Sequence, residues 1–521
     1  MKNMKKILAL VVAVLMIAAS VSVAFATAQD VEPFRTTDTV NVTVSTLNVG
    51  DTLYLYKIGT PEVDEYNQRT ITWTPAALKN IIEDATTENW DYAPDANLQT
   101  HIAALIGTGD GKIDVSGNGD YHAVVGDGES SASVAVAPGY YLAIVRQGDA
   151  SDTANIIYQN MLINAIPEVD EATGTWKKHE DVTATVKKTE EEIDKKQKEQ
   201  GASEWTAETV DGYKRGDYIP FKVTTVIPNY PQNSLYATFQ ITDTATGLKF
   251  VNVAGTYPLT LKVANTDVTA NATATVNTET ANETFTITVN DGNLAIVFDK
   301  EYILAHPGQA VELTYWAELV ADVETSHNDA KITYNRNPDE ATTQDDEDIV
   351  NQKTYGFTLL KYNQADAQKN PLVGASFTLW DAVENGNKIN VIYDESIEIK
   401  KADGTTMTVA GYRPIKAGET ADEYIVATDG TANVYCLGDQ DYFLQEDIAP
   451  AGYTRMATRM TVHPTEETSV EGIDFEVPNT KGVELPTTGG MGTTILYVGG
   501  SILVILAAVL LITKRRMNAE D

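Results

Sequence analysis

A lysine inside an apolar strand is the residue whose setting most directly predicts chemistry. In the run "GFTLLKYN", the two-residue period of a strand places Phe357, Leu359 and Lys361 on one face. A charged amine is costly on a buried face, so burial lowers the pKa of a lysine and favours its neutral, nucleophilic form. The pattern therefore predicts a reactive amine. The alternative is an exposed lysine at a strand end, with its stem lying along apolar surface.

A second candidate for chemistry lies near the end of the chain. Leu485, Pro486, Thr487, Thr488 and Gly489 read LPTTG, and an apolar run and the basic residues "KRR" follow them. A proline-stiffened, extended peptide presents the Thr488 carbonyl to an attacking thiolate. This order is the tripartite sorting signal that Gram-positive sortases read, so we expect cleavage between Thr488 and Gly489 and transfer of the acyl group to an amine. The alternative is a protein that keeps a single permanent membrane span.

Both ends of the chain carry targeting signals. The N-terminal segment has a basic start, an apolar run and small residues at Ala24, Ala26 and Ala28. This pattern predicts a secretory signal peptide cleaved near Ala26 or Ala28, with an uncleaved anchor as the alternative. The apolar run "TTILYVGGSILVILAAVLLIT" is about long enough to span a bilayer, and the basic residues behind it place that end in the cytoplasm. The sequence between the two signals is predicted to be exported, with transient membrane contact before sorting.

The composition limits the classes of function. The formal charge is −36, from 74 acidic and 38 basic residues, which argues against nucleic acid as a partner. Cys436 is the only cysteine, so no internal disulfide can form, and its apolar surroundings indicate a buried, inert thiol. The run "GTGDGKIDVSGNGDYH" lacks the ligand spacing of a calcium loop and is interpreted as a set of turns. We predict neither a metal site nor a cofactor.

The elements that must position these residues are mostly strands. Runs with two-residue alternation between polar turns recur along the exported sequence, and a helix is expected at "TPAALKNIIEDA". The pattern predicts a mainly β chain of serial immunoglobulin-like β-sandwich domains, with some helix in the first domain. The predicted segments are a signal peptide at 1–28, an N-terminal domain at 29–188, a middle domain at 189–345, a C-terminal domain at 346–482 and a sorting segment at 483–521.

The end of the first domain resembles a known family, the sortase-assembled major (backbone) pilins of Gram-positive bacteria. In that family a tryptophan precedes a valine-alternating strand that ends in a "YPK"-like lysine. The run "GTWKKHEDVTATVKK" supplies Trp176, Val182, Val186 and Lys187, although Thr and Val stand where the family has Tyr and Pro. The resemblance implies that Lys187 accepts the acyl group of the neighbouring subunit, with Lys188 as its competitor. The alternative is a solvated lysine in a charged linker.

The third domain resembles the collagen-adhesin B-type domains of pilins. The run "YFLQEDIAPAGY" matches their E-box, and "GFTLLKYN", "PLVGASFTLW" and "DFEVPNTKG" match the strands around it. In the family, these places hold an intramolecular Lys–Asn isopeptide bond. The resemblance implies that Lys361 is the nucleophile, Asn479 the electrophile and Glu446 the catalytic acid. Folding brings the first and last strands side by side, so proximity takes the place of an enzyme.

The middle domain resembles the collagen-adhesin A-type domain of pilins, with weaker motifs. The resemblance implies a trio of Lys195 in "EIDKK", Asp243 in "ITDTATGL" and Asn328 in "NDAKITY". Asn328 shares strand parity with apolar residues and can face the core, whereas Asn335 has the opposite parity and is the lesser candidate. Lys196 competes with Lys195 for the nucleophile. Asp243 could instead be a turn residue ahead of "TATG".

The resemblance implies a structural shaft subunit of a covalently polymerised pilus rather than an enzyme. Its expected partners are a sortase, identical subunits, minor pilins and cell-wall peptidoglycan. One alternative is a wall-anchored adhesin or minor pilin that binds a host or surface ligand and lacks a working acceptor lysine. A secreted hydrolase is a second alternative, with little support because no Gly-x-Ser-x-Gly or His-Glu-x-x-His pattern is present.

Overall fold

The structure is a computed structural model, and it describes residues 37–63, 69–83, 98–148, 155–169, 176–251, 256–269, 278–281, 285–289, 292–321, 325–400, 406–466, 468, 472–482 and 492–517. The chain divides into two compact units. The first unit extends to Tyr355 and includes Asp394–Glu419 and Tyr435–Asp439. The second unit contains Gly356–Tyr393, Thr420–Val434 and the described residues from Gln440 onward.

The described residues form strands with a few helices. The helices are α1 (Leu78–Glu83), α2 (Leu98–Leu105), α3 (Lys300–Ala305) and α4 (Gly492–Met517). The strands up to residue 190 are β1 (Val40–Ser45), β2 (Thr52–Val63), β3 (Arg69–Trp73), β4 (Tyr121–Val124), β5 (Ser131–Val136), β6 (Gly139–Arg146), β7 (Ile156–Tyr158), β8 (Met161–Ala165), β9 (Glu168–Val169), β10 (Trp176–Lys177), β11 (Val182–Thr185) and β12 (Lys188–Glu190).

The remaining strands follow in two groups. Those up to residue 353 are β13 (Asp194–Gln197), β14 (Tyr218–Val226), β15 (Phe239–Thr246), β16 (Leu248–Val251), β17 (Thr260–Val263), β18 (Thr266–Asp267), β19 (Thr278–Ala281), β20 (Phe285–Val289), β21 (Asn293–Phe298), β22 (Ala310–Leu319), β23 (Thr325–Asn335) and β24 (Thr343–Lys353). The last group is β25 (Tyr355–Asn363), β26 (Ala375–Trp380), β27 (Lys388–Ile389), β28 (Val391–Lys400), β29 (Thr406–Pro414), β30 (Ile425–Ala427), β31 (Thr431–Leu437), β32 (Tyr442–Ile448), β33 (Met460–Val462) and β34 (Phe475–Asn479).

The N-terminal region contains two main sheets and two short helices. One sheet has the order β11-β1-β5, and the other has the order β3-β2-β6-β8 with β4 paired to β2. Strand β1 buries alternate residues, Val40, Val42 and Val44, as the two-residue period of a half-buried strand requires. Helices α1 and α2 contribute Leu78 and Ile102 to a second apolar cluster. The helix expected in this region is therefore present, and it begins at Leu78.

The middle region is a sandwich of two sheets. The first sheet has the order β13-β14-β22-β17-β18, with β16 on β22, and the second has the order β19-β20-β21-β15-β23-β24. Strands β14 and β22 pair antiparallel along nine residues, from Tyr218 opposite Glu318 to Val226 opposite Ala310. Their inward residues, together with those of β15, β20, β21 and β23, form one apolar core. The edge strand β13 carries Lys195 into that core.

The C-terminal region brings its first and last strands together. Strands β25 and β34 pair in parallel, with Lys361 opposite Val477 and Asn363 opposite Asn479. A second sheet has the order β27-β26-β32-β33, with β30 on β26. Strand β25 is buried along most of its length, which explains why polar and apolar residues do not alternate over all of "GFTLLKYN".

The predicted fold class is confirmed: the chain is mainly β, with serial β-sandwich architecture and some helix in the N-terminal region. The five predicted segment boundaries stay a prediction. An 18-residue window within Ile495–Arg516 of α4 has a mean hydropathy of 2.8, and this stretch is long and apolar enough to cross a membrane. Lys514, Arg515 and Arg516 lie in its last turn. The predicted signal peptide lies outside the described residues.

Candidate cross-link sites in two β-sandwich cores

Three polar side chains meet in the core of the C-terminal region. Lys361 and Glu446 are 0% and 1% exposed, and Asn479 is 3% exposed. The Lys361 Nζ donates to Asn479 Oδ1 at 2.5 Å and lies 3.1 Å from Glu446 Oε1. The Asn479 Nδ2 donates to the same Glu446 Oε1 at 2.9 Å. The lysine, amide and carboxyl predicted from sequence are therefore in mutual contact.

The surroundings of Lys361 favour its neutral form. Burial lowers the pKa of its amine, and the Glu446 carboxylate opposes this shift without cancelling it. The Phe377 ring centroid lies 5.8 Å from the Nζ, and Glu446 Oε2 accepts a hydrogen bond from the Met456 backbone N–H at 2.8 Å. Glu446 is thus held in place with Oε1 beside both nitrogens, where a carboxyl group can exchange protons with each.

The middle region has a similar site built from different strands. Lys195 lies on β13, Asp243 on β15 and Asn328 on β23. Strands β15 and β23 pair so that Ala245 is opposite Asn328 and Asp243 opposite Ala330, which places Asp243 and Asn328 two register positions apart on one face. All three side chains are buried, and the Lys195 Nζ donates to Asp243 Oδ2 at 2.5 Å. The alternative interpretation of Asp243 as a turn residue is wrong, because it lies inside β15.

A fourth residue, Tyr315 on β22, completes the middle site and was not predicted from sequence. Its hydroxyl oxygen accepts hydrogen bonds from Lys195 Nζ at 2.9 Å and from Asn328 Nδ2 at 3.1 Å. Its O–H donates to Asp243 Oδ2. Strand parity on β22 places Tyr315 with buried apolar neighbours, so the sequence could have indicated a core tyrosine, although not its partners.

Burial also sets the protonation of the middle site. It lowers the pKa of Lys195 against the opposing attraction of Asp243, and it raises the pKa of Asp243 against the opposing attraction of Lys195. Burial raises the pKa of Tyr315 well above its ordinary value, with Asp243 adding to the effect. Each direction favours the uncharged form of the group, so the site favours a neutral amine, a neutral acid and a neutral phenol.

The competing residues of the middle region have other partners. Lys196 forms an ion pair with Asp194 and remains partly exposed. Asn335 is buried, and its Oδ1 accepts from the Thr238 N–H at 2.7 Å while its amide donates to backbone carbonyls near the β23–β24 turn. The structure therefore brings Lys195 into contact with Asp243 and connects Asn328 to both through Tyr315, whereas Lys196 and Asn335 have separate interactions.

The two candidate acceptor lysines lie at the end of the N-terminal region. Lys187 is exposed in the link between β11 and β12, and its carbonyl accepts from the Gln159 N–H at 2.9 Å. Lys188 is also exposed, and its Nζ lies 6.0 Å from the Tyr158 ring centroid. Trp176 is buried. Both lysines are exposed, and the choice between them stays a prediction.

The five residues of the predicted sorting motif, Leu485 to Gly489, lie outside the described residues. Helix α4 begins shortly after them, at Gly492. Their order along the chain, before an apolar helix with basic residues in its last turn, agrees with the tripartite arrangement predicted from sequence.

Comparison with protein families finds two adjoining matches in the C-terminal part of the chain. Residues 357–476 match the SpaA family, described as a prealbumin-like fold domain. Residues 477–519 match the LPXTG cell wall anchor motif. The first match contains Lys361 and Glu446, and the second contains Asn479 and the predicted cleavage site. The expected cell-wall anchoring at a Gram-positive surface is therefore confirmed.

Among curated proteins, the chain is similar to two surface proteins. It is 26% identical over 337 residues to the "Fimbrial subunit type 2" of Actinomyces naeslundii, which covers 57% of this chain and 56% of that protein. It is 25% identical over 355 residues to the "Trypsin-resistant surface T6 protein" of Streptococcus pyogenes serotype M6, which covers 58% of this chain and 65% of that protein. The matches thus span less than two thirds of either relative.

Two solved structures share the fold of most of the chain. The T6 backbone pilin of Streptococcus pyogenes matches with a TM-score of 0.53 and 18% identity, over 82% of this chain and 80% of that one. The full-length major pilin SpaD of Corynebacterium diphtheriae matches with a TM-score of 0.50 and 16% identity, over 86% of this chain and 99% of that one. With the family matches and the curated relatives, these findings confirm the predicted resemblance to sortase-assembled backbone pilins.

Proposed function

We propose that the chain is a structural shaft subunit of a covalent, wall-anchored pilus whose β-sandwich domains are cross-linked by self-formed Lys–Asn isopeptide bonds. The observation that carries the proposal is the pair of buried sites, each with a lysine amine, an asparagine amide and a carboxyl group in one hydrogen-bonded cluster. Lysines are almost never fully buried unless they are paired, and here two of them lie in such clusters in a chain that also carries a cell-wall anchor motif.

The proposed assembly uses the sorting segment and the exposed lysines. A sortase cysteine attacks the Thr488 carbonyl, Gly489 leaves with helix α4, and the resulting thioester passes to Lys187 of the next subunit. Helix α4 holds the chain in the membrane until the cleavage has occurred. The final amine is supplied by cell-wall peptidoglycan, and minor pilins join by the same chemistry. In this proposal the chain is a sortase substrate and catalyses only its own internal bonds.

The proposed internal bond forms without a cofactor. In the C-terminal site, the neutral Lys361 Nζ attacks the Asn479 Cγ, so the Nζ–Cγ bond forms and the Cγ–Nδ2 bond breaks. The nitrogen of the lysine loses one proton, the leaving nitrogen gains one, and ammonia departs. Glu446 Oε1 lies within hydrogen-bonding distance of both nitrogens and therefore carries that proton between them. The amine is buried and held against the Asn479 amide, and this proximity accelerates the reaction without an external enzyme.

The test is an intact mass of the full chain, extracted in detergent, followed by peptide mapping. We expect a deficit of two ammonia molecules, with cross-linked peptides that join Lys361 to Asn479 and Lys195 to Asn328. Lys361→Met is expected to remove one deficit and leave the other in place. A chain with the full unreacted mass would contradict the cross-linked shaft and leave a wall-anchored β protein whose polymerisation has to be shown separately.

A further inference from the structure

The two candidate sites differ in how the carboxyl group reaches the reacting nitrogens. In the C-terminal site, one oxygen of Glu446 contacts both Lys361 Nζ and Asn479 Nδ2, at 3.1 Å and 2.9 Å. In the middle site, Asp243 Oδ2 contacts Lys195, and Asp243 Oδ1 accepts no hydrogen bond from any described residue. Aspartate is one methylene shorter than glutamate, and Asp243 forms no hydrogen bond to the leaving amide.

Tyr315 provides the contact with the leaving amide that Asp243 does not make. Its hydroxyl oxygen accepts from the nitrogen that must lose a proton, Lys195 Nζ, at 2.9 Å. The same oxygen accepts from the nitrogen that must gain one, Asn328 Nδ2, at 3.1 Å. Its own proton points to Asp243 Oδ2. The phenol thus has in the middle site the contacts that Glu446 Oε1 has in the C-terminal site.

We propose that Tyr315 is a catalytic residue of the middle cross-link, with its hydroxyl relaying a proton from Lys195 to the departing nitrogen of Asn328. This inference rests on the proposed function, because it assumes that the Lys195–Asn328 bond forms. With this relay, four residues take part in the middle cross-link. The relay also explains how the site can work with an aspartate, which itself forms no hydrogen bond with the departing nitrogen.

The protons and bonds balance in the proposed step. Lys195 first passes one proton to Asp243, which leaves a neutral amine and a neutral acid. The amine attacks the Asn328 Cγ, and the amide nitrogen becomes a basic sp³ nitrogen with a lone pair. Tyr315 then gives its proton to Nδ2 as it receives one from Nζ. The Cγ–Nδ2 bond breaks, ammonia leaves, and Tyr315 ends the step in its original form.

The packing around Tyr315 fixes the hydroxyl for this role. The side chain is 1% exposed, and its ring stacks on Phe221 with centroids 5.5 Å apart. Phe250 contacts the ring edge-on, also with a centroid distance of 5.5 Å. Burial raises the pKa of Tyr315 well above its ordinary value, so the phenol is fully protonated at neutral pH and has a proton to give. Proton transfer in a water-excluded, fixed geometry requires little reorganisation.

Tyr315→Phe tests the relay, because it removes one oxygen and keeps the ring in its aromatic contacts. The matched control is Tyr334→Phe, since Tyr334 is another fully buried tyrosine of the same core and its hydroxyl has no hydrogen-bond partner among the described residues. Full-length chains are pulse-labelled in cells, and peptide mapping at successive chase times gives the fraction with the Lys195–Asn328 bond. The Lys361–Asn479 bond in the same molecules reports that each variant has folded.

We expect Tyr334→Phe to close the middle bond at the parental rate and Tyr315→Phe to close it about 100-fold more slowly, the usual contribution of a positioned proton-transfer group. We also expect Asp243→Glu to restore closure when it is combined with Tyr315→Phe, since the longer acid reproduces the C-terminal arrangement. Parental closure in Tyr315→Phe, or a double variant no faster than Tyr315→Phe, would overturn the relay. A parent chain without the middle bond would instead refute the proposed cross-link itself.

Discussion

Replacing Lys361 by methionine isolates the contribution of the C-terminal cross-link to stability. Methionine places a linear, apolar side chain of nearly the same length in the space of the lysine stem and removes the amine. Asn479 and Glu446 remain hydrogen-bonded to each other at 2.9 Å, and Glu446 Oε2 keeps the Met456 N–H. The substitution removes the amine that pairs with Glu446, but the carboxyl keeps two hydrogen-bond donors, which limits the cost of leaving it buried.

The expected effect follows from the length of chain that the bond closes. Lys361 and Asn479 are 118 positions apart in sequence. By the loop-closure relation used for disulfides, a covalent link of this span lowers the entropy of the unfolded chain enough to stabilise the fold by about 5 kcal/mol. For a domain of roughly 130 residues, that free energy corresponds to a loss of about 15–20 °C in melting temperature when the bond is absent.

Differential scanning calorimetry of the full chain measures this loss, and trypsin cleavage mapped along residues 356–482 locates it. The matched control is Lys369→Met, because Lys369 is an exposed lysine of the same region whose ion pair with Glu476 is largely in solvent. The control is expected to melt like the parent. If Lys361→Met also melted and resisted trypsin like the parent, the bond would either be absent or be without effect on the folded state, and the reasoning from loop closure would be refuted.

Two further predictions concern residues around the boundary between the N-terminal and middle domains, Glu191, Lys187 and Lys188. Burial raises the pKa of Glu191 from 4.5 to about 7, so this carboxyl stabilises the fold below about pH 4.5 and that contribution is lost as the pH rises to 7. Relative to Glu191→Gln, the parent should therefore lose roughly 3 kcal/mol in free energy of unfolding between pH 4.5 and 8. Chemical denaturation at several pH values measures this, and a free energy of unfolding with the same pH dependence in both proteins would contradict it. In cells with the cognate sortase, Lys187→Ala is expected to abolish the detergent-resistant ladder of polymers, while Lys188→Ala leaves it; the reverse result would assign the acceptor role to Lys188.

Strand parity predicted much of the two sites, because parity depends only on neighbours along one strand. It placed Lys361 and Asn328 on core-facing sides, and both side chains are buried. Parity also made Asn335 the lesser candidate, and Asn335 is nevertheless buried, since its amide satisfies backbone groups at the edge of the core. A buried position is therefore not enough to identify a reactive amide. Asn328 differs from Asn335 because it donates to the Tyr315 hydroxyl, which in turn contacts an amine and an acid.

Tyr315 shows what a single sequence could not supply. Its strand, β22, pairs with β14, and β14 in turn pairs with β13, so the contact with Lys195 depends on the register of two strand pairs. Its contacts with Asp243 and Asn328 also depend on how the two sheets face each other. None of these is encoded by spacing within one strand. Glu446, in contrast, could be predicted from the sequence, because it lies in a local pattern, the E-box, that resembles a family motif.

The proposed bonds together determine which parts of the chain carry tension in the fibre. In a fibre joined as proposed above, force enters at Lys187 and leaves at Thr488. The Lys195–Asn328 bond bypasses residues 196–327, and the Lys361–Asn479 bond bypasses residues 362–478. Tension then passes only through 188–194, 329–360 and 480–487, along with the bonds themselves. Most of both sandwich cores lies outside this covalent path, so their hydrogen bonds need not resist the applied force. A fibre built in this way would keep its length under loads that unfold an ordinary β-sandwich.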